Sequence, residues 1–160
     1  MSKRIQFSRT GGPEVLAYVE VEVGAPGPDE ARVRQMACGL NFIDIYYRSG
    51  LYPVPALPSG LGMEGAGVVE AVGANVTHLS VGDRVAYGSS PLGAYAQVRC
   101  MPAGQLVKLP RGISFEQGAA MMLKGLTVQY LFRQTYRLQG NETILFHAAA
   151  GGVGLIACQW

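Results

Sequence analysis

A glycine-rich turn between an apolar run and a predicted helix constrains the fold most. The run Thr143–Ala148 lacks polar alternation, which is typical of a central strand in a parallel sheet. Ala149–Gly154 matches G-x-G-x-x-G with alanine in the first glycine position, and a helix is predicted from Leu155. Such a turn lets backbone N–H groups and the helix dipole approach a pyrophosphate. The pattern therefore predicts a dinucleotide site, with an unliganded β–α turn as the alternative, at Gly151, Gly152, Val153 and Gly154.

The residues before Pro110 predict a β-rich unit. Apolar residues stand at every odd position of Val15–Val23, the period of a half-buried strand. Gly11–Pro13 separates this run from an earlier strand at Arg4–Phe7, which predicts a hairpin. Short strands at such spacing are typical of a small barrel or sandwich. The further runs are Ala31–Ala37, Gly65–Val72, Arg84–Ala86, Ala94–Arg99 and Leu106–Lys108.

The pattern changes to helix after Pro110. Ser114 and Gln117 form a capping-box pattern, which predicts a helix that is interrupted near Gly125 and resumes over Leu126–Tyr136. We therefore predict two units, residues 1–125 and 126–160. A βαβ unit needs about 30 residues, so the strand, turn and helix at the end only open such a unit. We expect the chain to be the N-terminal part of a longer protein.

Composition and charge exclude several classes of protein. Lys plus Arg is 13 and Asp plus Glu is 11, a net charge of +2, which argues against a nucleic-acid or polybasic membrane partner. The 49% hydrophobic content excludes disorder, and no apolar run approaches the roughly 18 residues of a membrane span. Cys38, Cys100 and Cys158 form no CxxC pair, which argues against a disulfide framework and favours a reducing cytoplasm.

Several short motifs follow one another along the whole chain. They are Gly11–Leu16, Gly39–Asp44, Arg48–Pro53, Gly62–Val69, Gly82–Val85, Lys124–Thr127 and Ala149–Gly154. In this order they resemble the motifs of the medium-chain dehydrogenase/reductase superfamily, and within it those of the zeta-crystallin-type quinone oxidoreductases. The resemblance implies a mixed α+β and α/β fold: a GroES-like catalytic domain at 1–125, then the start of a Rossmann domain at 126–160 that breaks off at Trp160. It places the active site between them.

The sequence departs from the zinc-dependent branch of this superfamily at the metal positions. Asn41 stands where that branch has a cysteine, Met63 where it has a histidine, and Leu123 near its third ligand, a cysteine. An amide, a thioether and an alkyl group cannot replace two thiolates and an imidazole around zinc. The four-cysteine structural zinc lobe is also missing, since Tyr87–Val98 contains no cysteine. We therefore expect no bound metal.

The resemblance implies an NADPH-dependent, zinc-independent quinone oxidoreductase, of which the 160-residue chain alone would be inactive. The alternatives are reduction of an enone or enoyl thioester, and a non-catalytic crystallin-like binding or structural role. The resemblance also implies a homodimer formed through Rossmann-domain surface outside this chain. The residue that selects NADPH over NADH follows the second Rossmann strand, which this sequence does not contain.

The remaining candidate residues follow from the resemblance. Substrate-cleft candidates are Asn41, Tyr46, Tyr52 and Lys124. Alternative roles stay open: a helix N-terminal residue for Asp44, packing for the tyrosines and for Thr127, and a solvated surface position for Lys124. Cofactor contacts outside the glycine turn are predicted at Asn41, Phe42, Asp44, Tyr46, Thr127 and Tyr130.

Overall fold

Two antiparallel sheets form most of the structure, a computed structural model that describes all of residues 1–160. The predicted β-rich unit is confirmed, with strands at Ser2–Phe7 (β1), Leu16–Val21 (β2), Glu30–Gly39 (β3), Ser59–Gly60 (β4), Glu64–Val72 (β5), Arg84–Gly88 (β6), Val98–Pro102 (β7) and Val107–Lys108 (β8). The smaller sheet has the order β2-β1-β4 and the larger has the order β7-β3-β5-β6-β8.

The predicted N-terminal hairpin is present. Strand β1 pairs with β2 from Ser2 opposite Val21 to Phe7 opposite Leu16. The strand predicted at 94–99 is displaced, because β7 begins only at Val98. The residues before it cross between the sheets instead. There the backbone N–H of Ile5 donates to the Tyr95 carbonyl at 2.8 Å.

The core lies on the inner face of the larger sheet. It is built from alternating residues such as Val33 on β3, Val69 on β5 and Val85 on β6, all of them fully or almost fully buried. Because side chains on a strand alternate between its two faces, this alternation fixes the pairing register. The other core members are Ala31, Leu79, Tyr87, Ala94, Met101, Ala103 and Leu106.

A short helix, α1, spans Phe42–Ser49, and a longer continuous helix, α2 (Phe115–Tyr130), packs across β3, β5 and β6. Its predicted capping box is confirmed: Ser114 Oγ accepts from the Gln117 N–H at 3.1 Å, and Gln117 Oε1 accepts from the Ser114 N–H at 2.8 Å. The predicted interruption near Gly125 is wrong. A glycine costs a helix only about 1 kcal/mol, which packing on the sheet overcomes. A π-helical turn, Leu131–Thr135, follows.

The apolar run Thr143–Ala148 does not form the strand that we predict from its sequence. A parallel strand satisfies its N–H and C=O groups only against a neighbouring strand, and no other segment of residues 1–160 pairs with this run. The run packs locally, with Phe146 edge-on to Phe132 at 6.3 Å between ring centroids. Helix α3 spans Gly152–Ala157, so it starts three residues before the predicted Leu155. No helix combines the length and the apolarity that crossing a membrane would require.

Candidate active site

A buried carboxylate, Glu64, joins two of the predicted site residues. Its Oε2 accepts from Asn41 Nδ2 at 2.8 Å and lies 3.2 Å from Lys124 Nζ, and its Oε1 accepts from the Leu123 backbone N–H at 2.9 Å. Lys124 Nζ also donates to Asn41 Oδ1 at 2.8 Å. Glu64 is fully buried, whereas the Lys124 side chain keeps 22% of its exposure. Amide, carboxylate and ammonium groups therefore form one closed cluster that reaches the surface through Lys124.

Three elements bring these side chains together. Asn41 precedes the first turn of helix α1 (Phe42–Ser49), Glu64 begins β5, and Lys124 lies on α2. Helix α2 comes close to the sheet because Gly39 and Gly88 have no side chain. A Cβ on Gly39 would collide with the Ala119 carbonyl and with Glu64, and a Cβ on Gly88 would collide with the backbone of Leu123.

The glycine turn lies against the same lysine. A Cβ added to Gly152 would lie 2.8 Å from Lys124 Cε, and one added to Gly154 would lie 2.5 Å from the carbonyl oxygens of Ala148 and Ala149. The first-turn N–H groups of Gly152, Val153 and Gly154 donate to no protein acceptor. The turn therefore presents free backbone donors, which suit a phosphate group.

Asp44 lies beneath this cluster, in the first turn of α1. It is 2% exposed, and its Oδ2 accepts from the Asn41 backbone N–H at 2.9 Å and from the Tyr95 hydroxyl at 2.6 Å. Its Oδ1 has no partner. Burial raises the pKa of Asp44, and the Tyr95 hydrogen bond opposes that rise. Burial and the neighbouring Asp44 raise the pKa of Tyr95, which keeps the phenol protonated as a donor. A helix N-terminal role is thus present, while cofactor contact stays a prediction.

The predicted cleft tyrosines form an aromatic cluster. The rings of Tyr46 and Tyr52 meet edge to face at 5.4 Å between centroids, and Tyr47 meets Tyr52 in the same way at 5.8 Å. Phe42, at the start of the same helix, is 77% exposed. Flat aromatic surfaces near the amide of Asn41 are suited to stacking against a planar ligand.

Thr127 and Tyr130 lie further along the helix that carries Lys124. The Thr127 hydroxyl donates to the Leu123 carbonyl at 2.7 Å, which fixes its rotamer and leaves the oxygen able to accept a hydrogen bond. Tyr130 is 46% exposed. Residues 124, 127 and 130 are spaced three apart, so they lie along one side of the helix. Their roles as nicotinamide contacts stay predictions.

Residues 27–111 match the alcohol dehydrogenase GroES-like domain family. The chain belongs to this family. A quinone oxidoreductase of Pseudomonas aeruginosa is 68% identical over 160 residues, which are 100% of this chain and 49% of that protein. The solved quinone oxidoreductase of Pseudomonas syringae pv. tomato DC3000 matches with a TM-score of 0.96 and 69% identity, over 100% of this chain and 49% of that one. Escherichia coli quinone oxidoreductase, solved with NADPH, matches with a TM-score of 0.95 and 57% identity, over 99% of this chain and 48% of that one.

These similarities confirm the fold class predicted from the sequence: a GroES-like domain followed by the start of a Rossmann domain. They also confirm the resemblance to quinone oxidoreductases of the medium-chain dehydrogenase/reductase superfamily. The chain spans about half the length of the curated relatives that it matches.

Glu64, the residue on which the site of this GroES-like domain is built, is not among the site residues predicted from the sequence. A usable signal was present, because Glu64 is the only charged residue between Gly60 and Val69. A lone carboxylate in an apolar strand is seldom buried without a partner, and such a strand therefore points to a cation elsewhere in the chain. Lys124 is that cation. No group of three or more His, Cys, Asp or Glu side chains is arranged to hold a metal ion.

Proposed function

We propose that this chain is part of an NADPH-dependent quinone oxidoreductase that works without zinc. The observation that carries the proposal is the contact between the glycine turn and the polar cluster, where Gly152 lies on the alkyl chain of Lys124. A turn with free phosphate-binding donors next to a lysine and an amide is an arrangement suited to reducing a carbonyl. The relatives named quinone oxidoreductase support the same activity.

The glycine turn fits a dinucleotide because the N–H groups of its first helical turn have no protein acceptor and can donate to a pyrophosphate. Gly151, Gly152, Val153 and Gly154 would hold that group. Bound NADPH supplies the hydride. For the nicotinamide and ribose we propose contacts from Asn41, Phe42, Asp44, Tyr46, Thr127 and Tyr130.

Lys124 is the residue best placed to act on the substrate oxygen. Its ammonium group has three N–H donors, of which two are directed to Asn41 and Glu64. We assign the third to the quinone oxygen, where it stabilises the negative charge that develops during reduction. A quinone takes up two electrons and two protons. One proton arrives with the hydride, and Lys124 gives the second and is reprotonated from water.

Asn41 and Glu64 hold Lys124 in that role. The Glu64 carboxylate balances the lysine charge in a buried setting, and the Asn41 amide connects the two through its oxygen and its nitrogen. Tyr46 and Tyr52 are proposed to stack against the quinone ring, in a cleft between residues 1–125 and 126–160. Residues 1–160 alone would bind NADPH weakly and reduce no quinone, since they contain only the first turn of the cofactor domain.

The donor set argues for zinc-free chemistry. The Lys124 ammonium contacts both the Asn41 amide and the Glu64 carboxylate. It offers no lone pair to a metal ion, and its positive charge repels one. Metal analysis of the purified full-length protein should find no stoichiometric zinc. About one zinc per chain, lost together with activity on chelation, would contradict this part of the proposal.

The activity is tested with the full-length protein, NADPH and an aromatic ortho-quinone, with an enone as the competing substrate. Lys124→Met should lower kcat/KM for the quinone by about a hundredfold. The matched control is Lys108→Met, a surface lysine paired with Asp83, which should change kcat/KM less than about twofold. A higher kcat/KM for the enone would favour enone reduction, and no turnover of either substrate would favour a non-catalytic role.

We also propose a cytoplasmic location and a homodimer formed through surface beyond residue 160. The location is supported by the cysteines, because all three are free thiols in the structure.

A further inference from the structure

The largest of the main cavities lies between the loop that follows Tyr52 and the loop around Pro91. Its volume is about 650 Å³, within the range of small-molecule pockets. We call it the proline groove. Prolines make up nearly half of its lining, which includes Pro53, Pro55, Ala56, Pro58, Pro91 and Pro102.

The proline groove offers mainly hydrocarbon to a ligand. It contains no charged side chain, and its five prolines have no backbone N–H. The carbonyl oxygens of Pro91 and Leu92 already accept from Arg99 Nη2, at 2.7 and 3.3 Å. The Ser59 hydroxyl donates to the neighbouring Gly60 carbonyl at 2.9 Å. The only polar side-chain groups of the lining are the hydroxyls of Tyr47, Ser59 and Ser90. A polar ligand would therefore recover little of the hydration that it loses here, whereas an apolar ligand has none to recover.

The proline groove adjoins the aromatic cluster of Tyr46, Tyr47 and Tyr52 through the side chain of Tyr47. Tyr47 lines the groove, and its ring packs on Tyr52 at 5.8 Å between centroids. Pro53, the next lining residue, follows Tyr52 directly, so their Cα atoms are about 3.8 Å apart. A planar ring stacked on Tyr46 and Tyr52 would therefore have the groove beside it.

We propose that the proline groove holds an apolar side chain of the quinone, so that the substrate class is alkyl- or prenyl-substituted quinones. This inference rests on the proposed function and deepens it. Full burial of one methylene is worth about fourfold in affinity. Because Pro53, Pro55 and Pro58 remain exposed, the chain would be only partly buried. We therefore expect about a twofold gain per methylene.

The test measures kcat/KM of the full-length protein for 1,4-benzoquinones that carry methyl, propyl, pentyl or heptyl groups. In the unmodified protein, kcat/KM should rise about twofold with each added methylene. Ala56→Trp should fill the groove and abolish the rise while leaving methyl-benzoquinone reduction within about twofold. Leu57→Trp is the matched control, because Leu57 is the next residue, is 45% exposed and does not line the groove. It should keep the rise.

The outcomes separate the two proposals. Reduction of methyl-benzoquinone with no dependence on chain length overturns the proline groove alone. A rise that survives in Ala56→Trp, or one that is lost equally in Leu57→Trp, also overturns it, because the chain then binds elsewhere or the loop acts indirectly. Absence of all quinone reduction in the unmodified protein overturns the proposed function and the groove with it.

Discussion

Residues 1–130 and residues 131–160 differ in whether their apolar sequence runs are buried. In residues 1–130 the apolar strand positions on the inner face of the larger sheet are buried in paired ladders, and Val33, Val69 and Val85 are almost inaccessible to solvent. In residues 131–160 only Gly154 and Ala157 are buried, and Leu145, in the middle of an equally apolar run, is 85% exposed. Apolar sequence therefore sets a preference for the strand state, but a neighbouring strand is needed to form it.

The largest expected difference between the two regions is in the rate of amide hydrogen exchange. In the 160-residue chain, amides of β3 and β5 should exchange only through global unfolding, at about 5 to 15 kcal/mol, whereas amides of residues 142–150 should exchange with almost no protection. Mass spectrometry of peptic fragments measures both. In the full-length protein the second set should become protected. Equal protection of the two sets in the short chain would show that the C-terminal segment already has an ordered partner.

The next largest difference should be in the loss of stability when a carboxylate is introduced into each region. Val33→Asp puts a carboxylate into the core and should cost about 4 kcal/mol or more, enough to abolish cooperative unfolding. Leu145→Asp makes a similar change on an exposed residue and should stay within about 0.5 kcal/mol. Urea titration followed by circular dichroism shows whether Val33→Asp keeps a cooperative transition and gives the free energy of unfolding of Leu145→Asp. A comparable loss in the two variants would mean that Leu145 is buried in solution.

The glycine turn should give an effect on binding of intermediate size. In the full-length protein, Gly152→Asp places a Cβ against Lys124 and a negative charge near the proposed pyrophosphate. NADPH affinity should fall about a hundredfold, or ~2.7 kcal/mol, in a fluorescence titration. The control Gly140→Asp has open space around its Cβ and should bind normally. Unchanged affinity in Gly152→Asp would remove the turn from the cofactor site.

The smallest expected effect is a dependence of stability on pH. Because burial raises the pKa of Asp44, the folded state holds this proton more tightly than the unfolded chain does. Stability from this group is thus present at low pH and is lost as the pH rises through the folded pKa. Asp44→Asn keeps an acceptor for Tyr95 and should flatten the profile of Tm against pH above about pH 4.

Asp83 provides a control of opposite sign. Hydrogen bonds from Lys108 and the Ser80 N–H lower the pKa of Asp83, so its contribution is lost as the pH falls. Asp83→Asn should therefore reduce the loss of stability on the acid side. If both variants shifted the profile in the same direction, the burial of Asp44 would not be the cause of its behaviour.

Local signals in the sequence predicted much of the fold. The alternation of Val15–Val23 and the capping box at Ser114 each depend on residues close in the chain, and both are present in the structure. The predictions at Gly125 and Thr143–Ala148 failed because tertiary packing decides them. The first is held in the helix by the sheet, and the second lacks a neighbouring strand.

The site was harder to predict than the fold. Asn41 and Lys124 were identified by resemblance, but their hydrogen bond links residues 83 positions apart, and no local pattern indicates it. Glu64, which connects them, lies at the start of strand β5 and is not among the predicted site residues. The need for glycine at position 39 is not predictable from the sequence either, because it comes from the close approach of α2 rather than from a turn.

The unbroken helix α2 has a mechanical consequence. Its 16 residues form a stiff rod about 24 Å long that presses on Gly39 near one end and carries Lys124 beyond its middle. Because the helix is continuous through Gly125, the position of Lys124 is set by the packing of α2 against the sheet at Gly39 and Gly88. A shift of the helix along its axis would therefore move Lys124 by the same distance relative to Asn41 and Glu64.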